Sequence, residues 1–554
     1  MGCNERCRRG FPSQASSPLR RPRSKGDCEL FDRHRQNGRA ANKCTAFAKP
    51  CVGAVLAGAS LSSMQTAKTP WPAKHNWRYI ARESPPKRAA GERICDFDEI
   101  YGLFDEATAR AQASRCINCP DPPCVKNGCP LANRIPEWLS LAADGRFLEA
   151  AELSRSTSNM PEICSRVCPQ DRLCEGACIL NARSEPVSIG AVEKFINEYA
   201  FTHETPDAGV ASPNRRKVAI VGSGPSGMAC ADELAKLGYA ITIFETQTRP
   251  GGLLVNGIPS FKLEKNIVER RFDLLRRRGV MVRCGVTVGR DIPLSVLREK
   301  FDAVYLAIGA QKPKELGIPG ADLRGVFHAL PFLIQKNLAT PSGLLIRVRN
   351  KRVAVLGGGD TAMDCLRTAI RCGAHEAICI YRRDLDNMPG SRREYLNAVE
   401  EGAQFMFLTN AVSLSGNGDG DVVEARCVQM ELDEPDVKGR RKPRAIPGSE
   451  FSVPVDVVLI AYGFDPVPIF AAGNSDKIEV NKWGGVIVNE DQMTSVPGVF
   501  AGGDLVRGPD LVVRAVRDSR KAAGGIHKYL SSRAAGFEVI SRGKQMLEPA
   551  VRSG

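Results

Sequence analysis

Regular spacing of apolar positions begins near "ICDFDEIYGLF" (94–104); the residues before it show no clear hydrophobic period. The stretch "IPEWLSLAADGRFLEAAELSRSTS" (135–158) repeats its apolar residues at helical spacing and predicts a helical pair, and "SIGAVEKFINEYA" (188–200) predicts a further helix. From 217 the pattern changes. "KVAIVGSGPSGMACADELAKLGYAITIFE" (217–245) reads as strand, turn, helix, strand, and "RVAVLGGGDTAMDCLRTAIRCGAHEAICIYRRD" (352–384) repeats that order. "FDAVYLAIGA" (301–310) and "VDVVLIAYGF" (455–464) each predict a strand ending in an Ala-x-Gly turn, one closing each unit. "GNGDGD" (416–421) reads as a surface hairpin. The longest apolar run before residue 90, "VGAVLAGASLSS" (52–63), is short and rich in small residues, so no membrane span is expected.

The turn of the first unit is Gly222-x-Gly224-x-x-Gly227. Such glycines serve a tight turn, the approach of a pyrophosphate to backbone, and close helix packing, and Glu245 ends the second strand where a ribose acceptor belongs. In the second unit Gly357, Gly359 and Ala362 take these places, with Asp360 and Thr361 between them. Its second strand ends in Arg382 and Arg383, where an acid would repel a 2′-phosphate and arginine pairs with one; Arg392 and Arg393 add to this patch. The first site therefore suits FAD and the second NADPH. "RPGGLLVNGIP" (249–259), with Gly252 and Leu253, is placed to lie along a flavin. Gly503 and Asp504, between a strand and a helix in 496–526, suit the ribityl chain.

Composition refines this picture in two places. Of the net charge of +15, eleven units fall in the first 80 residues, so the basicity belongs to a tail and not to the body. No aromatic residues interleave with the tail's arginines as stacking platforms, and nucleic-acid binding is not expected. The other place is the cysteines. Cys116, Cys119, Cys124 and Cys129 read C-x2-C-x4-C-x4-C-P; Cys164, Cys168, Cys174 and Cys178 read C-x3-C-x5-C-x3-C. Nothing indicates an oxidising compartment, which disfavours disulfides. Paired C-x2-C knuckles, the habit of all-cysteine zinc sites, are missing from the second group. Close thiol triplets and Cys-Pro endings resemble iron–sulfur ligation, which is placed ahead of zinc.

These stretches together resemble the small (beta) subunit of NADPH-dependent glutamate synthase. They are "PPKRAAGERICDFDEIY", the eight-cysteine block, the first glycine loop, "GGLLVNGIPSFKLEK", "GGGDTAMD", "YRRD" with "NMPGSRREY", and "TSVPGVFAGGDLVRGPDLVVRAV". The fold expected is α/β: two Rossmann-like domains in the glutathione-reductase-like arrangement, after a small all-α iron–sulfur domain. The division expected is a disordered basic extension (1–80), a helical iron–sulfur domain (81–212), an FAD domain in two parts (213–340 and 464–540) around an NADPH domain (341–463), and a tail (541–554). The resemblance implies FAD, NADPH and two [4Fe–4S] clusters in a cytoplasmic enzyme. One cluster would take Cys116, Cys119, Cys124 and Cys178; the other Cys129, Cys168, Cys174 and either Glu193 or Cys164. The Cys124–Cys129 gap is one residue longer than the resemblance implies. The partner implied is a large (alpha) subunit that makes glutamate from glutamine and 2-oxoglutarate, with no side-chain acid or base required in this chain. Two rival readings are a related oxidoreductase serving ferredoxin or another acceptor, and a zinc-stabilised interaction module fused to a flavoprotein.

Overall fold

The computed structural model describes residues 76–203, 212–214, 216–338, 345–436, 441–467 and 478–545, with side chains of the last helix to residue 533. The basic extension lies outside the described residues up to position 75. Among the described residues no helix is long and apolar enough to cross a membrane.

The first part is helical: α1 (Glu106–Ala113), α2 (Ile135–Ala143), α3 (Phe147–Thr157), α4 (Pro161–Val167) and α5 (Ile189–His203). Asp105 caps α1 by accepting from Thr108 N at 2.7 Å, and proline opens α2 and α4, where a missing N–H costs nothing. Trp138, Leu139, Phe147, Ala150, Val192 and Ile196 form the core between α2, α3 and α5. The cysteines sit on the turns around it. The long Cys124–Cys129 gap closes as one π-type turn, Cys129 N donating to Cys124 O at 2.8 Å.

Two five-stranded sheets follow, built alike. The first contains β1 (Lys217–Val221), β2 (Ala240–Phe244), β3 (Met281–Arg283), β4 (Ala303–Leu306) and a strand from the C-terminal part, β10 (Val499–Ala501). Its order is β10-β4-β1-β2-β3, parallel throughout. The second contains β5 (Val326–His328), β6 (Arg352–Leu356), β7 (Glu376–Ile380), β8 (Gln404–Met406) and β9 (Val457–Ile460), in the order β5-β9-β6-β7-β8, also parallel. In each, the strand before the glycine loop lies where the order reverses, the crevice in which open parallel sheets bind ligands. β5 lies ahead of the division expected at 341: the half-buried Val326–His328 pairs with β9 and so joins the second sheet. Asn417 and Asp421 close the expected hairpin, between Thr409–Gly416 and Val422–Leu432.

The chain passes between the two sheets twice, and the passages pair with each other. Phe464–Asp465 runs antiparallel to Lys312–Pro313. After β10 comes α10 (Val512–Gln545), which extends into the expected tail.

A buried ion network joins the parts. Glu401 follows α9 (Arg392–Glu400). It accepts from Arg367 Nε at 2.9 Å and Arg371 Nη1 at 2.5 Å, both on α8 (Asp360–Arg371), and from Arg93 Nε of the helical part at 2.8 Å. Arg367 also pairs with Glu394 at 2.5 Å, and Lys262, just ahead of α7 (Lys265–Arg277) in the first sheet's domain, pairs with Asp364 at 2.9 Å. Phe261 lies beneath the Arg367 and Arg371 guanidiniums, 4.3 and 4.1 Å from its ring centre.

Candidate functional site

The first glycine loop is an open cradle with no room for side chains behind it. Gly222 turns at φ +101°, and a Cβ there would lie 2.5 Å from Ala307 O. A Cβ on Gly227 would lie 1.9 Å from Gly222 O, so α6 (Pro225–Lys236) packs against the loop as only glycine allows. Gly224, in contrast, has only Gly252 Cα nearby, at 4.0 Å. Its side of the loop is open, and α6 starts there without a side-chain cap, so free N–H groups face an incoming anion. Glu245 is buried; it accepts from Gln247 N at 2.8 Å, Ser223 N at 3.0 Å and Ser223 Oγ. Ser223 Oγ in turn accepts from Gly251 N at 2.9 Å, tying the acid to the turn that carries Gly252 and Leu253. Gly503 and Asp504 lie nearby: Gly503 is at φ +67°, and burial pushes the Asp504 carboxyl up to about 7. These residues fit a dinucleotide laid from Glu245 across the loop towards Asp504.

The second loop repeats the first. Gly357 turns at φ +134° and a Cβ would lie 2.5 Å from Ala461 O, the counterpart of Ala307; Gly359 has nothing within 4 Å, and Ala362 is buried beneath it. Asp360 accepts from Ser391 N at 2.9 Å, and Thr361 beside it is half-buried. At the end of β7, Arg382 is exposed and forms no ion pair among the described residues, while Arg383 Nε is buried without a hydrogen-bond partner. An orphaned buried donor beside an uncompensated guanidinium fits a 2′-phosphate. Arg393 does not join this patch: it donates to Gln170 Oε1 at 2.8 Å and Arg166 O at 3.1 Å, in the helical part.

The cysteines ring two cavities. Cys116, Cys119, Cys124 and Cys178 line one; Cys129, Cys164, Cys168, Cys174 and Glu193 line the other. Ile135 and Ile189 line both and form the wall between them. Val513 of α10 closes the second cavity, so that cavity abuts the first dinucleotide domain. Gly128 lets the two cysteine loops touch, since a Cβ there would lie 2.9 Å from Cys174 Cα. Burial pushes Cys116 and Cys129 up to about 11 and Cys124 to about 12. A hydrogen bond donated to Cys164, then burial, raises Cys168, and burial raises Cys174. Thiols crowded in an apolar cavity become thiolates only when a cationic body enters. Among the described residues no three His, Cys, Asp or Glu side chains stand at single-ion spacing. Burial also pushes Glu193 up to about 7; its Oε1 accepts from Asn133 at 2.9 Å and Ser154 at 3.1 Å.

Comparison with known proteins agrees with this layout. Residues 93–205 match the family described as dihydropyrimidine dehydrogenase domain II, 4Fe-4S cluster, and residues 216–519 match pyridine nucleotide-disulphide oxidoreductase. The glutamate synthase [NADPH] small chain of Escherichia coli K12 is 46% identical over 463 residues, 81% of this chain and 98% of that one. The chain belongs to the glutamate synthase small-chain family. That of Mycobacterium tuberculosis H37Rv is 37% identical over 486 residues, 83% of this chain and 96% of that one. The putative oxidoreductase AegA of E. coli K12 is 43% identical over 463 residues, 81% of this chain and 70% of that one. Among solved structures, FprA of M. tuberculosis in complex with NADPH has a TM-score of 0.50 at 21% identity, covering 58% of this chain and 86% of that one, a likeness of fold.

As a member of this family the chain is an oxidoreductase of the small-chain type, with a helical iron–sulfur domain ahead of two dinucleotide-binding domains. The sequence reading missed several residues that shape the sites. Arg115, buried beside Cys116, donates to Ile80 O, Pro186 O and Glu185 O at 3.1, 2.8 and 3.0 Å and fixes the rim of the first cavity. Ser226, Tyr305 and Ser519 join hydroxyls at 2.8–3.2 Å behind the first glycine loop. Arg172 had no local signal either; its partners lie more than 200 residues away.

Proposed function

We propose that the chain is the NADPH-oxidising electron-input subunit of a glutamate synthase, serving a large subunit that makes glutamate from glutamine and 2-oxoglutarate. The observation that carries this reading is the succession of sites: an arginine-ended dinucleotide loop, an acid-ended one, a cysteine cavity abutting it, and a second cavity across the Ile135–Ile189 wall. Gly357, Gly359, Asp360, Thr361 and Ala362 hold NADPH, with Arg382 and Arg383 on its 2′-phosphate. Gly222, Gly224, Gly227, Glu245, Gly252, Leu253, Gly503 and Asp504 hold FAD. Held at these two loops, the nucleotides would supply hydride-transfer chemistry, and clusters held by the two cysteine sets would supply one-electron chemistry. The protein's part is to orient and space these groups, and no side-chain acid or base is assigned. The outer cavity lies towards the surface: Ile179, next to Cys178, is 51% exposed.

Turnover of NADPH with glutamine and 2-oxoglutarate is expected only when a glutamate synthase large chain is added. No turnover with both chains, alongside brisk reduction of an artificial dye, would move the reading to another acceptor such as ferredoxin. Iron and acid-labile sulfide should both be present; zinc alone would overturn the cluster assignment.

For the clusters, Cys116, Cys119, Cys124 and Cys178 form one ligand set; Cys129, Cys168, Cys174 and Glu193 form the other, leaving Cys164 spare. Both hydrogen bonds to the Glu193 carboxylate fall on one oxygen, which supports the other as a ligand. Cys164→Ala is expected to keep the wild-type iron content and electron paramagnetic resonance spectrum, while Glu193→Ala alters the signal of one centre. The reverse pattern would make Cys164 the ligand.

A further inference from the structure

The turn between Cys168 and Cys174, "CPQDRLC", does more than carry cysteines. Arg172 reaches out of it and donates Nη1 to Pro389 O at 2.6 Å and Nη2 to Gly390 O. Among the described residues Arg172 forms no ion pair; its guanidinium is spent on two carbonyls. Gln170, in the same turn, accepts from Arg393 at 2.8 Å. The segment held in this way, Pro389–Ser391, lies directly on the second dinucleotide loop. Gly390 N donates to Gly358 O at 2.8 Å, and Ser391 N donates to Asp360 Oδ1 at 2.9 Å. Gly390 fits there because a Cβ would come within 2.9 Å of Gly358 O. Tyr381 OH, from the end of β7, donates to Asn387 O at 2.8 Å and fixes the other end of the segment. One strip of chain is therefore bonded on one side to the phosphate-facing loop and on the other to the turn between two cluster cysteines.

We infer that Arg172 is a positioning residue that couples the second cysteine cavity to nucleotide affinity. The inference rests on the NADPH reading of the second loop. A filled cavity fixes the Cys168–Cys174 turn; Arg172 then holds Pro389 and Gly390, and these hold Gly358 and Asp360 in the shape that receives the pyrophosphate. With Arg172 removed the strip keeps its bonds to the loop, and Arg393 still reaches Gln170, but Pro389 and Gly390 lose their direct grip from the cysteine turn. Coupling between two sites is reciprocal, so bound nucleotide must in turn protect the cluster of that cavity from loss. Arginine suits this task because its planar fork spans two successive carbonyls, which the single ammonium of lysine spans less well.

The test uses the purified holoprotein, NADP+ and a ferrous chelator, bathophenanthroline. In the wild type, saturating NADP+ is expected to slow iron release from about half the iron by about five-fold or more, the lower range of site–site coupling. In Arg172→Ala that protection disappears and the Kd for NADP+ rises about five-fold or more, with KM for NADPH rising alongside and kcat for dye reduction little changed. Arg172→Lys restores part of both. Equal iron-release rates with and without NADP+ in the wild type would overturn the inference even if the variant fails to fold. So would an Arg172→Ala protein that binds NADP+ as tightly as the wild type. A wild type that binds no NADP+ would overturn the NADPH reading itself, and this inference with it.

Discussion

Arg382→Ala with Arg383→Ala raises the KM for NADPH by about a hundredfold or more and leaves that for NADH within a few-fold. The expectation follows from chemistry at the end of β7. Hydrogen bonds to charged groups contribute about 1.5–3 kcal/mol each, so two of them on a 2′-phosphate amount to at least the roughly 2.8 kcal/mol that a hundredfold requires. NADH has no 2′-phosphate and loses nothing there. Arg383 is the more telling of the pair, because its Nε is buried without a partner and the backbone around it is already in place: Leu408 N donates to Arg383 O at 3.1 Å. Steady-state kinetics with both nucleotides check this. Equal loss for both would mean that the arginines serve the loop's structure and not the phosphate.

Glu401→Ala is expected to destabilise the protein by about 3–5 kcal/mol, the cost of leaving buried charges unpaired. Arg367 keeps Glu394 and Arg93 keeps Glu400, but Arg371 loses its carboxylate altogether. A fall in Tm, with loss of contact between the helical part and α8, reads this out. Acid should do the same more gradually. Burial resists ionisation of Glu401, but the hydrogen bonds and charges of Arg371 and Arg367 prevail and hold it down at about 2; in Glu394, Lys262 and Arg367 likewise prevail over burial and hold it at about 2. Both values lie below the ordinary 4.5. The stability these groups contribute is therefore complete above about pH 4.5 and is lost as the pH falls through about 2. Glu401→Ala removes part of that acid sensitivity, and a pH series of melting curves should show a flatter low-pH limb.

What could be read from the sequence divides by distance along the chain. A glycine loop between a strand and a helix is a local requirement, so Gly222, Gly224, Gly227, Gly357 and Gly359 were legible, as was the change from Glu245 to Arg382 and Arg383 at matching strand ends. The helices at 135–157 and 189–203 were legible from their period. Arg393 was read with the patch around Arg382 because the two lie close in sequence; a bond to Gln170, 223 positions away, takes it elsewhere. Arg93 with Glu401, 308 positions apart, left no trace in any local window. The start of the second sheet was likewise hidden, because a three-residue strand such as Val326–His328 is too short to show a period.

The paired passages at Lys312–Pro313 and Phe464–Asp465 bear on how such a chain can be assembled and altered. Entry and exit lie side by side, so everything from the first to the second hangs on its host like a pendant on a double cord. Such a unit can be lengthened, trimmed or exchanged for a homologous one without reopening the host sheet, because among the described residues no host strand lies inside the exchanged stretch. The cord does not fix orientation, however. Arg93, Arg172 and Lys262, which lie outside the pendant, are among the residues that tie it down, at Glu401, at Pro389 and Gly390, and at Asp364, so a transplanted unit would function only in a host whose grip it matches.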